Sequence, residues 1–94
     1  MSDETRQVWQ SVDLATVNGN IVRSRTMEKF TARWHAHADS DEFFYVLSGL
    51  FYLDTDAGTI EIRAGASFVM PAGVRHRGRA EIRTTLLVVD RIRS

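Results

Sequence analysis

His35-Ala36-His37-Ala38-Asp39-Ser40-Asp41-Glu42-Phe43-Phe44-Tyr45-Val46-Leu47-Ser48-Gly49 joins a chemical pattern to a structural one. Its second half is apolar at every position from Phe43 to Leu47 and stops at the turn pair Ser48-Gly49, so it reads as a central strand covered on both faces. In its first half two imidazoles stand two residues apart on a predicted strand, Lys29–His37, and therefore project from one face. Glu42 follows across the acidic turn Ala38-Asp39-Ser40-Asp41, and a bend there brings its carboxylate back beside the two rings.

Working outward, short alternating or fully apolar runs are broken by Gly, Asn and Asp at regular intervals, while apolar residues seldom recur at helical spacing. Strands are predicted near Val8–Asp13, Asn20–Arg25, Lys29–His37, Glu42–Ser48, Leu50–Asp54, Thr59–Arg63, Ser67–Met70 and Ile82–Asp90. Asn18-Gly19-Asn20, Ser48-Gly49 and Asp54-Thr55-Asp56-Ala57-Gly58 supply turns. About eight short strands without helices indicate an all-β sandwich or barrel. Both Phe43–Leu47 and Leu86-Leu87-Val88-Val89 lack a solvated face, more apolar surface than so small a chain covers alone, so a homodimer is expected.

The chain of 94 residues has room for one core, taken as a single domain over 1–94 with a flexible N-terminus at 1–6. With 44% hydrophobic and 26% charged residues, it has globular rather than disordered composition. Twelve basic side chains balance twelve acidic ones, which argues against a nucleic-acid partner, because neutralising phosphates needs a positive surplus. All the basic residues but Lys29 are arginines, so local patches that recognise carboxylate or phosphate stay possible. The absence of cysteine removes disulfides, thiolate zinc sites and thiol nucleophiles. No run approaches the ~20 apolar residues of a membrane helix, and Met1 to Arg6 lacks the layout of a secretion signal, so a soluble cytoplasmic protein is expected. There is no Gly-rich phosphate loop and no G-x-S-x-G elbow.

The third histidine, His76, closes the segment Pro71-Ala72-Gly73-Val74-Arg75. Three imidazoles and one carboxylate form a donor set suited to Mn, Fe, Co, Ni, Cu or Zn. Each histidine alone is as readily a surface or hydrogen-bonded residue. The flanking residues carry more weight: Glu42 is followed by Gly49, and Gly65 by Pro71, Gly73 and His76.

These spacings resemble the two motifs of the cupin superfamily, G-x5-H-x-H-x(3,4)-E-x6-G and G-x5-P-x-G-x2-H-x3-N. His35, His37, Glu42 and Gly49 match the first, and Gly65, Pro71, Gly73 and His76 the second. Lys29 stands where the first motif has glycine, and Ala80 where the second has asparagine. The resemblance implies a double-stranded β-helix (jelly-roll) barrel. It also implies one divalent transition metal ion (Mn, Fe, Ni, Cu or Zn) held by His35, His37, Glu42 and His76. Four protein ligands on an octahedral metal leave positions for substrate or oxygen.

On strand parity Thr31 and Arg33 share the face of His35 and His37, and Phe44 and Val46 that of Glu42. Arg33 then points at the cavity, where its guanidinium would pair the carboxylate or enolate of a small anionic substrate. A rim salt bridge to Asp39 or Glu42 is the equal alternative. Arg75, Arg77, Arg79 and Arg83 read as a solvated face paired with acids such as Glu61 and Glu81, with Arg75 and Arg77 turned away from His76. Trp9 and Trp34 are expected in the core or a dimer interface. The expected function is a metal-dependent enzyme on a small organic molecule, a dioxygenase or an isomerase or lyase, with Glu42 and Arg33 as catalytic candidates. The rival is a ligand-binding or sensor protein without turnover.

Overall fold

The computed structural model describes residues 6–92. Apart from Arg6, the segment 1–6 expected to be flexible lies outside the described residues. Among them are nine strands and no helix: β1 (Val8–Val17), β2 (Asn20–Glu28), β3 (Phe30–Thr31), β4 (Glu42–Ser48), β5 (Leu50–Thr55), β6 (Gly58–Arg63), β7 (Ser67–Met70), β8 (His76–Ala80) and β9 (Thr84–Arg91). They form two antiparallel sheets, ordered β1-β2-β9-β4-β7 and β3-β8-β5-β6, the jelly-roll barrel expected from the sequence.

Local chemistry sets the corners. Asn18 (φ 49°) and Gly19 (φ 79°) are both left-handed, the geometry a two-residue hairpin needs between Val17 and Asn20. Gly49 (φ 88°) carries the chain from β4 in one sheet to β5 in the other, and a Cβ there would lie 2.5 Å from the Arg83 carbonyl oxygen. Only glycine satisfies both demands.

The core lies between the sheets, where alternate residues of facing strands meet: Phe44 and Val46 of β4, Phe51 and Leu53 of β5, Leu86 and Val88 of β9. Each such side chain contributes about 1.5–3 kcal/mol of burial free energy. The alternation corrects two expectations. Phe43–Leu47 is not covered on both faces: Phe43 and Tyr45 are half-buried and Leu47 is 49% exposed, so β4 has an inner and an outer side. The long strand expected over Lys29–His37 shrinks to β3 and one isolated bridge between His35 and His76, because after Ala32 N bonds the Gly78 carbonyl the ladder with β8 is interrupted until His35. His76–Ala80, absent from the expected strands, is β8.

Candidate metal centre

Three chain segments deliver the cluster: the stretch between β3 and β4 with His35 and His37, the start of β4 with Glu42, and the start of β8 with His76. His76 opens β8, and its backbone exchanges two hydrogen bonds with His35, His35 N to His76 O at 2.9 Å and His76 N to His35 O at 2.8 Å. This narrow pairing sets the two rings side by side, centroids 4.4 Å apart. His37 is tied to the loop before β8, since Gly73 N donates to the His37 carbonyl at 2.8 Å. Glu42 opens β4 and is buried, on the inward parity shared with Phe44 and Val46. Potential ligand atoms of His35, His37, Glu42 and His76 all lie within 4.8 Å of one another.

The hydrogen bonds decide which ring nitrogens face the cluster. Nδ1 of His35 donates to the Arg33 carbonyl and Nδ1 of His76 to the Val74 carbonyl, each at 2.9 Å. A carbonyl only accepts, so each Nδ1 carries its proton, and in the neutral ring Nε2 presents a lone pair. His76 Nε2 faces Glu42 Oε1 at 3.2 Å, and His37 Nε2 stands 3.5 Å from the same oxygen. Lone pairs opposed at that distance repel unless a cation lies between them, either a proton or a metal ion. Burial works against charging the His76 ring, yet hydrogen bonds to Glu42 and Val74 and the charges of Glu42 and Asp90 raise its pKa above the ordinary imidazole value. The imidazole and carboxylate donors fit a first-row transition metal.

Beside the cluster lies a cavity of about 430 Å3. Its apolar wall includes Trp9, Met27, Phe44, Phe51 and Leu86, and its polar wall adds Arg23, Arg25, Asp90 and Arg91 to the cluster. Gly78 belongs to this wall, because a Cβ there would stand 2.6 Å from Phe51 Cζ.

Arg33 is a correction. It is exposed and does not line the cavity, whereas its neighbour Ala32 does. Parity is inherited only along a continuous strand, and β3 ends at Thr31. Asp39, offered as its alternative partner, lies 3.8 Å from Arg91. Three other arginines line the cavity, Arg91 of β9 and Arg23 and Arg25 of β2, the last two alternating with Val22, Ser24 and Thr26 and sharing the inward face of β2 with Met27. The period of two between Asn20 and Glu28 groups Arg23 and Arg25 with Met27, and pairing with β9 decides that this face turns inward. Asp90 was missed as well: it ends the inward series Thr84, Leu86, Val88 of β9, is buried, and sits 3.7 Å from His37 Nε2.

The second arginine group is structural. Arg77 and Arg79 both donate to Asp54 Oδ2, at 2.9 and 2.8 Å, while Arg75 pairs with Asp56 and Arg83 with Glu28, in place of Glu61 and Glu81. Arg75 and Arg77 stack on Trp34, their guanidinium carbons 4.5 and 4.8 Å from the ring, so Trp34 packs under arginines rather than in the core. Trp9 is 48% exposed beside the cavity, tilted 6.2 Å from Phe30.

The sequence profile of the cupin domain family, Cupin_2, matches residues 25–90, which span the whole cluster. The chain belongs to the cupin family. This cupin is 34% identical over 93 residues to the uncharacterized protein YdbB of Bacillus subtilis (strain 168), a match covering 96% of this chain and 80% of the relative. It is similar in structure to a cupin-2 domain containing protein from Shewanella frigidimarina NCIMB 400, with TM-score 0.85, 28% identity and coverage of 93% and 84%. A likeness to protein NMB1881 of Neisseria meningitidis has TM-score 0.77, 26% identity and coverage of 89% and 84%. Among the described residues no helix of the cupin is long and apolar enough to cross a membrane.

Proposed function

We propose that this cupin is a metal-dependent enzyme acting on a small organic molecule, as a dioxygenase or as an isomerase or lyase. One observation carries the reading: the lone-pair confrontation of His76 Nε2 and Glu42 Oε1 at 3.2 Å, within a four-residue cluster that opens on a cavity. His35, His37, Glu42 and His76 would hold one divalent ion of Mn, Fe, Ni, Cu or Zn. When bound, such an ion supplies Lewis acidity, and a redox-active one also supplies electrons to dioxygen.

The protein's own part is positional and protic. The carbonyls of Arg33 and Val74 lock two rings by their Nδ1 protons. Glu42, shared between His37 and His76, is the carboxylate placed to accept a substrate proton, and Asp90 is a second acceptor 3.7 Å from His37. Phe44, Phe51 and Leu86 keep the far wall dry, which strengthens charge interactions inside.

Elemental analysis of untagged protein, wild type against His76→Ala, is the first test, followed by oxygen-electrode and carbonyl-isomerisation screens. Stoichiometric metal lost in the variant, with turnover that disappears alongside it, supports the reading. Wild-type protein that stays metal-free in excess of each ion overturns it. Metal with saturable ligand binding and no consumption of any substrate would replace the enzyme by a sensor.

A further inference from the structure

Burying a cation without a counter-charge is unfavourable by several kcal/mol, so folded proteins pair or solvate their internal arginines. The cavity is bordered by three. Arg23 Nε donates to Asp13 at 3.0 Å, and Arg91 lies 3.8 Å from Asp39. Arg25 differs. Its Nε is buried and has no hydrogen-bond partner, and among the described residues no carboxylate lies within ion-pair distance of it. Its register on β2, opposite Ser11 and Leu86, is the inward parity of Arg23 and Met27, so Arg25 belongs to the cavity wall without a carboxylate among the described residues to pair its charge. Trp9 flanks it, with the guanidinium carbon 6.0 Å from the ring centroid.

We propose that Arg25 is the anion anchor of this cavity and that the ligand is a small monocarboxylate with a flat apolar body. This deepens the small-molecule reading above and rests on it. The guanidinium takes the carboxylate as its counter-charge, and the apolar body lies against Trp9, Met27 and Phe44. Glu42 and Asp90 line the same cavity and oppose a dianion such as phosphate more strongly than a single carboxylate, which one guanidinium balances. Volume agrees, since about 430 Å3 lies at the lower end of the roughly 300–1,000 Å3 of small-molecule sites. Strand parity offers Arg33 for this role on equal terms with a rim salt bridge, and Arg33 is exposed.

Calorimetric titration with benzoate, benzamide, acetate and inorganic phosphate tests the proposal, in metal-loaded protein and again after metal removal. Benzoate is expected to bind best, and Arg25→Met to weaken it by about tenfold or more, with Arg25→Lys between and Arg33→Met unchanged. Thermal unfolding of each variant verifies folding, and removing a half-buried cation with no ion-pair partner should leave Arg25→Met at least as stable as wild type. Benzamide binding as well as benzoate, equal benzoate affinity in Arg25→Met, or no carboxylate binding at all would each overturn the proposal. Arg25→Met retains the metal ligands, so its metal content separates this outcome from failure of the metal reading: wild type without metal that still binds benzoate through Arg25 sinks only the latter.

Discussion

His76 Nε2 faces Glu42 Oε1 at 3.2 Å while the proton on its Nδ1 is held by the Val74 carbonyl at 2.9 Å. The pair is therefore short of one positive charge, and a proton and a metal ion compete to supply it. Metal added to chelator-treated protein is expected to raise Tm, by about 2.7 kcal/mol of stabilisation at a hundredfold excess over Kd. Because the His76 pKa is raised, the competing proton persists above the ordinary imidazole range of 6.5, so metal affinity should fall on acidification through that region. Competition titrations at several pH values measure this, and a pH-independent affinity would contradict the arrangement.

Asp54 behaves in the opposite sense. Arg79, then Thr59 and Arg77, hold its carboxyl well below the usual carboxylate range against the effect of burial. A depressed folded pKa contributes stability above the unfolded value of 3.8, and that contribution is lost as pH falls through the folded value. Asp54→Asn should cost roughly 2 kcal/mol at neutral pH and flatten the loss of stability in acid. Urea unfolding at pH 7 and pH 3 checks both parts.

Lys29 occupies a left-handed conformation, φ 51°, with its N–H bonded to the Glu81 carbonyl at 3.0 Å. This is the position at which the cupin motif has glycine, the residue that adopts such a φ without strain, so the lysine here carries a strain that glycine would not. Lys29→Gly should relieve that strain against a smaller entropic loss, a gain of about 0.5–1 kcal/mol. Thermal unfolding decides it, and a clear destabilisation would mean that the lysine side chain contributes more than its strain costs.

Strand β1 is an edge of its sheet, ten residues long, with Val12, Leu14 and Val17 exposed. Long apolar edges favour association, so the homodimer expected from the sequence should be sensitive to charge there. Sedimentation of wild type against Leu14→Glu is expected to show a dimer becoming monomer. A wild-type monomer at high concentration would exclude it.

The sequence by itself determined the residue types and spacings: His35, His37, Glu42 and His76 in two glycine-punctuated motifs, and the apolar runs Phe43–Leu47 and Leu86–Val89 that form β4 and β9, whose inner and outer sides only the fold separates. Both are local, and local regularity is what a chain displays along its length. Tertiary structure alone decided which arginine enters the cavity. Parity carried from His35 to Arg33 fails where β3 stops at Thr31, while Arg25 is brought inward by pairing between β2 and β9, some sixty positions apart. It also decided that Asp90 joins the histidines and that Asp54 gathers Arg77 and Arg79. Those meetings depend on how strands from distant segments are ordered in the two sheets, which no spacing within one segment encodes.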